Sequence, residues 1–412
     1  MITPYFSDDT VTLYTGDAAE VLRELPANTA DCVVTSPPYW GLRDYGTGRW
    51  TGGDPACTHS TGRGTGTPPP RSQGTPHPAS PAHRGGGPRT CLRCGAVRHD
   101  RQYGLELTPE EYVEALRGVF AELRRVLSST GTVWLNLGDS YSATPPGRTD
   151  APMRRSTAMG RRALGIARES VQRAGVDRTR ALPRKNMIGM PWRVAFALQA
   201  DGWILRNAVV WHKPNAMPES VNDRMSNRYE LIFLLVRQPR YFFDLDAIRE
   251  PPAQPPVTEN IDPSGSRTGR PAGTERQRGR NVSGTGKYTA DAAFSAHPPG
   301  ASLRPTGRRH TAAHAKGKNP GDVWSITTRP LRAAHFAAFP VDLPLRCIAA
   351  GCPPGGTVLD PFSGAATTAI AAAHLKREYI GIDLSTDFHD IALDRLGLPR
   401  PGTTPPQDGR AA

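Results

Sequence analysis

No uninterrupted run of about 18 apolar residues occurs in the sequence, so no membrane-spanning helix is expected. Cysteine is scarce: six in 412 residues cannot build a disulfide scaffold, which points to a reduced, cytosolic setting. The start, Met1-Ile2-Thr3-Pro4, lacks the basic stretch and apolar run of a secretion signal, and none is expected. Apolar residues reach only 37%, low for a compact domain, while 42 glycines and 41 prolines are present. That mismatch describes a well-built core interrupted by long, poorly packed loops. Acidic residues are outnumbered 38 to 51 by Lys and Arg, and the net charge of +13 favours a polyanionic partner, nucleic acid foremost.

What is present falls into ordered and aperiodic segments. Residues 1–46 hold a strand at Val11–Tyr14, a helix through Val21, Leu22 and Leu25, and a strand at Asp31–Thr35 whose apolar run reads as buried on both faces. Residues 47–104 are a low-complexity insertion. Residues 105–250 resume with Thr108-Pro109-Glu110-Glu111, a capping-box helix start. Tyr112, Val113, Leu116, Val119, Phe120, Leu123 and Leu127 follow at helical spacing, then a strand at Thr132–Leu137. After an Arg-rich loop at 143–185 come a helix near Pro191–Gln199 and strands at Ala208–Trp211 and Leu231–Val236. A Pro-, Gly- and Arg-rich stretch fills 251–320. Residues 321–398 carry an ordered Leu343–Ala350, a strand at Thr357–Leu359, a helix at Thr367–His374 and a strand at Tyr379–Asp383, before a disordered tail, 399–412. Strands alternating with helices predict an α/β fold with a mainly parallel sheet.

Two motifs carry chemistry. Val358-Leu359-Asp360-Pro361-Phe362-Ser363-Gly364 is a strand running into a small-residue turn, with a helix opening at Thr367. Such turns let backbone approach a ligand and offer unpaired N–H groups at the helix start. Asp383 then ends the next strand, where a carboxylate can accept both ribose hydroxyls of a nucleoside cofactor. The second motif, Ser36-Pro37-Pro38-Tyr39, follows the buried strand at Asp31–Thr35. Consecutive prolines make a stiff bend with exposed carbonyls, able with a hydroxyl to hold an amino group beside a stacking aromatic.

Together these motifs resemble the β class of DNA amino-methyltransferases, in which the catalytic motif precedes the recognition region and the cofactor motif follows it. The resemblance covers about 1–45, 105–250 and 320–395. It implies a circularly permuted Rossmann-like fold, helices on both sheet faces, S-adenosylmethionine as cofactor, and double-stranded DNA as partner. It further implies that Ser36, Pro37, Pro38 and Tyr39 hold and stack the target base. Asp360, Phe362, Gly364, Thr367 and Asp383 would form the cofactor turn, with Asp17 near the adenine. His335, Phe336 and Pro340 would close over the methionine moiety. Trp211-His212-Lys213-Pro214-Asn215 and Pro218–Glu230 would border the target pocket. Two departures stand out: Ala366 replaces a common second glycine, and Tyr229-Glu230 a common His-Glu pair.

Serine before Pro-Pro-Tyr is the family feature associated with cytosine N4, although the chemistry of a hydroxyl does not exclude adenine N6. Cytosine-C5 methylation needs a nucleophilic cysteine, usually in a Pro-Cys turn, and no Pro-Cys dipeptide is present. An inactive DNA-binding relative, prompted by Ala366, and an RNA or protein substrate are the other readings. The resemblance leaves open a restriction endonuclease partner, a solitary enzyme, and the oligomeric state.

Cys57 and His59, with Cys91 and Cys94-Gly95, bracket the low-complexity run at the spacing of a zinc knuckle. His99 is an alternative fourth ligand. An insertion this polar buries little apolar surface, and a structural zinc would close it. The arm at 143–185 and the region 251–320, with Arg267, Arg270, Lys287 and Arg304 among its cations, are expected to contact phosphates, the latter as the recognition region.

Overall fold

The structure is a computed structural model and describes residues 2–43, 45–59, 90–91, 93–142, 182–183, 185–251, 316–329 and 339–402. Most of the expected arm at 143–185, most of the expected recognition region at 251–320, and His335 and Phe336 lie outside the described residues. The chain divides into two compact units, residues 1–244 with 321–412, and residues 245–320. In the second, a short 3-10 turn at Asp246–Ile248 is tied to the 316–318 backbone by a Glu250–Lys318 bridge and by the Arg249 guanidinium on the Gly317 carbonyl.

The first unit is built on a nine-stranded sheet. In chain order its strands are β1 (Phe6–Ser7), β2 (Val11–Thr15), β3 (Ala30–Thr35), β6 (Leu127–Leu137), β7 (Ile204–His212), β8 (Tyr229–Val236), β9 (Val323–Ser325), β10 (Thr357–Asp360) and β11 (Glu378–Asp383). They lie side by side in the order β1-β2-β11-β10-β3-β6-β8-β7-β9. The central five, β2, β11, β10, β3 and β6, are parallel, and β8 runs antiparallel to both its neighbours. The last two strands of the chain are thus inserted between early ones, the permuted order expected of the class.

The helices are α1 (Ala18–Glu24), α2 (Pro109–Val126), α3 (Met190–Ala200), α4 (Asp342–Gly351), α5 (Thr367–His374) and α6 (Thr386–Leu396). Period-two alternation sorts the sheet's side chains between two helical layers. Val133, Leu135, Leu231, Phe233 and Leu235 join the core of α1, α2 and α3. On the other face, Thr132 donates to the Gly351 carbonyl of α4 at 2.9 Å, and Gly351 lies against Trp134. Both faces are therefore covered, which is why β3 reads as a near-continuous apolar run.

The capping box forms as its residues predict: the Thr108 hydroxyl accepts from Glu111 N, and the Glu111 carboxylate accepts from Thr108 N. Some expected boundaries move. Leu127 does not extend α2; its backbone is extended and it opens β6, five residues before the expected strand start. Pairing of Ala30 with Leu127 draws Ser128-Ser129-Thr130-Gly131, of which Ser129 and Thr130 are exposed, into the strand as an irregularity before Cys32 pairs with Thr132, so tertiary pairing overrides local turn preference. The insertion at 47–104, read as aperiodic, holds an antiparallel pair, β4 (Arg49–Thr51) and β5 (Val97–His99). Helix α6 and strands β1 and β9 have no counterpart in the sequence reading.

Candidate active site and metal centre

Because β2, β11, β10, β3, β6 and β7 share one direction, their carboxyl ends meet along one edge, together with the amino end of β8. Ligands of open α/β sheets bind at that edge. A cavity of about 420 Å³ opens there, within the usual range for small-molecule sites. Its lining brings together Ser36, Pro37, Pro38 and Tyr39 with Asp360, Phe362, Gly364, Thr367 and Asp383, positions separated by more than 300 residues of chain.

At the end of β10, Asp360 is only 2% exposed and accepts three hydrogen bonds. Thr35 and Thr368 hydroxyls reach its two oxygens at 2.7 Å each, and Phe362 N lies at 3.1 Å. Burial pushes its carboxyl up to about 6, with the three donors pulling the other way. Asp383 accepts from Gly364 N and Ser385 N at 2.9 Å each, and burial likewise raises it to about 6. Each Asp383 oxygen takes one backbone donor and retains lone pairs for a ligand diol. Gly364 (φ +50°) and Ala366 (φ +53°) both adopt left-handed backbone, and the fully buried Ala366 stands at the N-cap of α5. Phe362 meets Tyr103 edge-on, at 5.2 Å between centroids, and Leu384 and Phe388 add apolar wall. A carboxylate with lone pairs to spare, small backbone at the turn, and apolar walls suited to a flat ring form a set that fits a nucleoside cofactor.

Asp17 lies beside the lining: its carboxylate caps α1 through Ala19 N (3.0 Å) and Glu20 N (3.2 Å) and receives the Tyr103 hydroxyl at 3.4 Å. Pro340 is buried, its carbonyl accepting from Leu343 N, while its neighbour Phe339 reaches the cavity.

At the other end, Pro38 is clamped by the Tyr112 hydroxyl on its carbonyl at 2.9 Å. The Ser36 hydroxyl lies 3.3 Å from the Tyr39 hydroxyl, which donates to Glu230 Oε2 at 2.7 Å. Asn136 Nδ2 donates to Tyr39 (2.7 Å), Glu230 (2.9 Å) and Ser36 (3.4 Å). Lys213 pairs with the other Glu230 oxygen and lies 4.3 Å over the Trp211 ring. Burial first, then Glu230, holds the Tyr39 phenol well above its ordinary value, so it stays protonated. Asn136 was missed in the sequence; its one signal is a polar residue in the otherwise apolar Val133-Trp134-Leu135-Asn136-Leu137. Tyr103, Leu384 and Phe388 left no signal at all.

In the insertion, the ligand atoms of Cys57, His59, Cys91 and Cys94 lie within 4.8 Å of one another. Cys57 Sγ is 3.8 Å from Cys91 Sγ, and Cys94 Sγ is 3.4 Å from His59 Nδ1. Tetrahedral zinc with bonds of about 2.3 Å to sulfur and 2.0 Å to nitrogen would set these at about 3.8 and 3.5 Å. The knuckle turn is closed by Gly95 N on Cys91 O, with Gly95 at φ +72°. Backbone donation from Ala96 lowers the Cys94 thiol from its ordinary value, favouring thiolate. The His59 ring stacks on Trp50 at 4.9 Å. His99, on β5, pairs with Arg49 of β4 and is outside the group.

A family model described as DNA methylase, for N6 and N4 methyltransferases, matches residues 30–394. The chain is 32% identical over 385 residues to the Type II methyltransferase M.Cfr9I of Citrobacter freundii, covering 93% of this chain and 87% of that protein. It is 33% identical to the Type II methyltransferase M.XycI of Xanthomonas campestris pv. cyanopsidis, with the same coverage. Among solved structures, the PvuII DNA methyltransferase (cytosine-N4-specific) superposes with a TM-score of 0.50 at 13% identity, covering 98% of this chain and 91% of that one, a likeness of fold. The permuted sheet, the cofactor turn and these relatives converge: the chain belongs to the N6/N4 family of S-adenosylmethionine-dependent DNA methyltransferases.

Proposed function

We propose that the protein methylates the exocyclic N4 of cytosine in double-stranded DNA, with the target nucleotide turned out of the helix into the cavity at Ser36–Tyr39. The observation that carries this reading is one cavity shared by Ser36 and the Asp360–Asp383 cofactor turn. S-adenosylmethionine, when bound, supplies an electrophilic methyl group. Asp383 would hold its ribose, Phe362 its adenine, and Gly364 and Thr367 the turn beside it, with Asp17 steadying that end through α1. Ser36 and the Pro37 carbonyl would hold the amino group, so that its nitrogen lone pair faces the methyl carbon in line. Tyr39 and the stiff Pro37-Pro38 bend fix that geometry, so rate derives mainly from positioning and electrostatics.

Serine at position 36 favours cytosine N4 over adenine N6. His335 and Phe336 would close the methionine end. The basic segments 143–185 and 251–320 would neutralise phosphates, and the second would read sequence. A structural zinc on Cys57, His59, Cys91 and Cys94 would close the insertion, all four positions being protein ligands with none left open for catalysis. The Type II relatives support a restriction endonuclease as the partner activity. No helix among the described residues is long and apolar enough to cross a membrane.

The test is methylation of unmethylated genomic DNA, followed by nucleoside mass spectrometry, with Ser36→Ala in parallel. N4-methylcytosine that disappears in Ser36→Ala is the expected product. N6-methyladenine would overturn the base assignment, and no product despite bound cofactor would overturn the activity.

A further inference from the structure

We infer that Glu230 is the terminal acceptor of the proton that the target amine loses, reached from Ser36 through the Tyr39 hydroxyl. This rests on the methylation reading above and assigns the step which that reading leaves open.

The chemistry sets the requirement. As the amine nitrogen gives its lone pair to the methyl carbon, the carbon–sulfur bond breaks with its pair left on sulfur. The nitrogen becomes positively charged and must shed one N–H proton. Ser36, a neutral hydroxyl, can take that proton only by giving up its own. The structure offers it a recipient: Tyr39 Oη lies 3.3 Å away, and Tyr39 in turn donates to Glu230 Oε2 at 2.7 Å. One proton moves at each link: amine to Ser36, Ser36 to Tyr39, Tyr39 to Glu230. The amine ends neutral and methylated, both hydroxyls are restored, and the carboxylate becomes a carboxylic acid. An N-alkylated aryl-type ammonium is a far stronger acid than a carboxylic acid, so the transfer runs downhill.

The other groups are unsuited to the task. Asn136 touches Ser36, Tyr39 and Glu230, but its amide cannot accept a proton, so it orients the line. Asp360 is taken up by Thr35, Thr368 and Phe362 N, and Asp383 by Gly364 N and Ser385 N; neither bonds to Ser36 or Tyr39. Lys213 binds the opposite oxygen of Glu230, leaving Oε2 to Tyr39. Among the described residues, the charged group in contact with Glu230 is Lys213, with Arg43, Arg329, Asp360 and Asp383 elsewhere on the cavity wall.

The experiment compares the full chain with Glu230→Gln, Tyr39→Phe and the double variant. Single-turnover methylation is followed from pH 5 to 9, and cofactor affinity by calorimetry. The Glu230 carboxylate band is read by infrared difference (wild type minus Glu230→Gln) in cofactor-free protein. Each single variant should slow the chemical step about 10²- to 10³-fold, as loss of a general base does, with cofactor Kd unchanged within about twofold. The double variant should be no slower than the slower single. The carboxylate band should shift in Tyr39→Phe. A Glu230→Gln protein with normal rate would overturn the relay, as would full activity in Tyr39→Phe. If Glu230→Gln fails to fold, Tyr39→Phe, which keeps the ring, decides alone. A wild type that makes no methylated base would instead sink the methylation reading, and the relay with it.

Discussion

Replacing Asp360 by asparagine tests whether the carboxyl at the end of β10 is strained by burial. The side chain is 2% exposed and its carboxyl is raised to about 6 from an ordinary 3.8. A folded pKa above the unfolded one favours the protonated form in the native state. Its stabilising effect is therefore complete below about pH 4 and is lost as pH rises through about 6. At 1.36 kcal/mol per unit, the whole loss is about 3 kcal/mol, of which about 1.4 kcal/mol falls between pH 5 and pH 8. Asparagine has the same shape and no charge to desolvate. Its oxygen can keep Thr35 and Phe362 N, while Thr368 can turn its hydroxyl to the Val34 carbonyl, now 3.4 Å away, and accept from the new amide. Urea unfolding of wild type and Asp360→Asn at pH 5 and pH 8 gives two differences in stability. Their difference cancels every pH-independent effect of the substitution. Asp360→Asn should gain about 1.4 kcal/mol on wild type between pH 5 and 8. A gap that stays flat, or moves the other way, would refute the reasoning and show that the three donors outweigh burial.

Chelation should release one zinc per chain, measured by mass spectrometry of the metal. Cys91→Ser should lose it and lower the melting temperature; metal-free wild type with an unchanged melting temperature would remove the structural role. Gly138→Ala would place a Cβ 2.5 Å from the Tyr39 ring, so methylation should fall at least tenfold with the circular dichroism spectrum intact. Ala366→Gly relieves a left-handed non-glycine backbone costing about 1–2 kcal/mol, but gives up a buried methyl and adds unfolded-state entropy of comparable size. Its unfolding free energy should stay within about 1 kcal/mol of wild type, with cofactor affinity not reduced. A larger loss would mean that the methyl packs where glycine cannot substitute.

Much of the core was legible because its signals are local. The capping box Thr108–Glu111, the helix at Thr367–His374 and the apolar strand before Ser36 each declare themselves within a few residues. So do the chemical motifs, since a rigid Pro37-Pro38 bend and a small-residue turn after Asp360 have meaning wherever they fold. Leu127 shows the limit. It continues the helical period of its segment, yet pairing with Ala30 takes it into β6. Helix α6 and the β4–β5 pair escaped because short elements with mixed surfaces leave little periodicity.

The sequence by itself determined the fold class, the two motifs, the pool of metal-ligand candidates and the charge that suits a polyanion. Each of these depends on residue type and spacing along the chain. Only the tertiary structure decided that His59 rather than His99 joins the cysteines, and that Asn136, Glu230 and Lys213 converge on Ser36 and Tyr39. Those meetings depend on sheet order and register: the β6–β8 and β7–β8 pairings carry Asn136, Glu230 and Lys213 to the edge where β3 delivers Ser36. Register is fixed by which faces of many strands are buried together, a property of the packed molecule that no single segment contains.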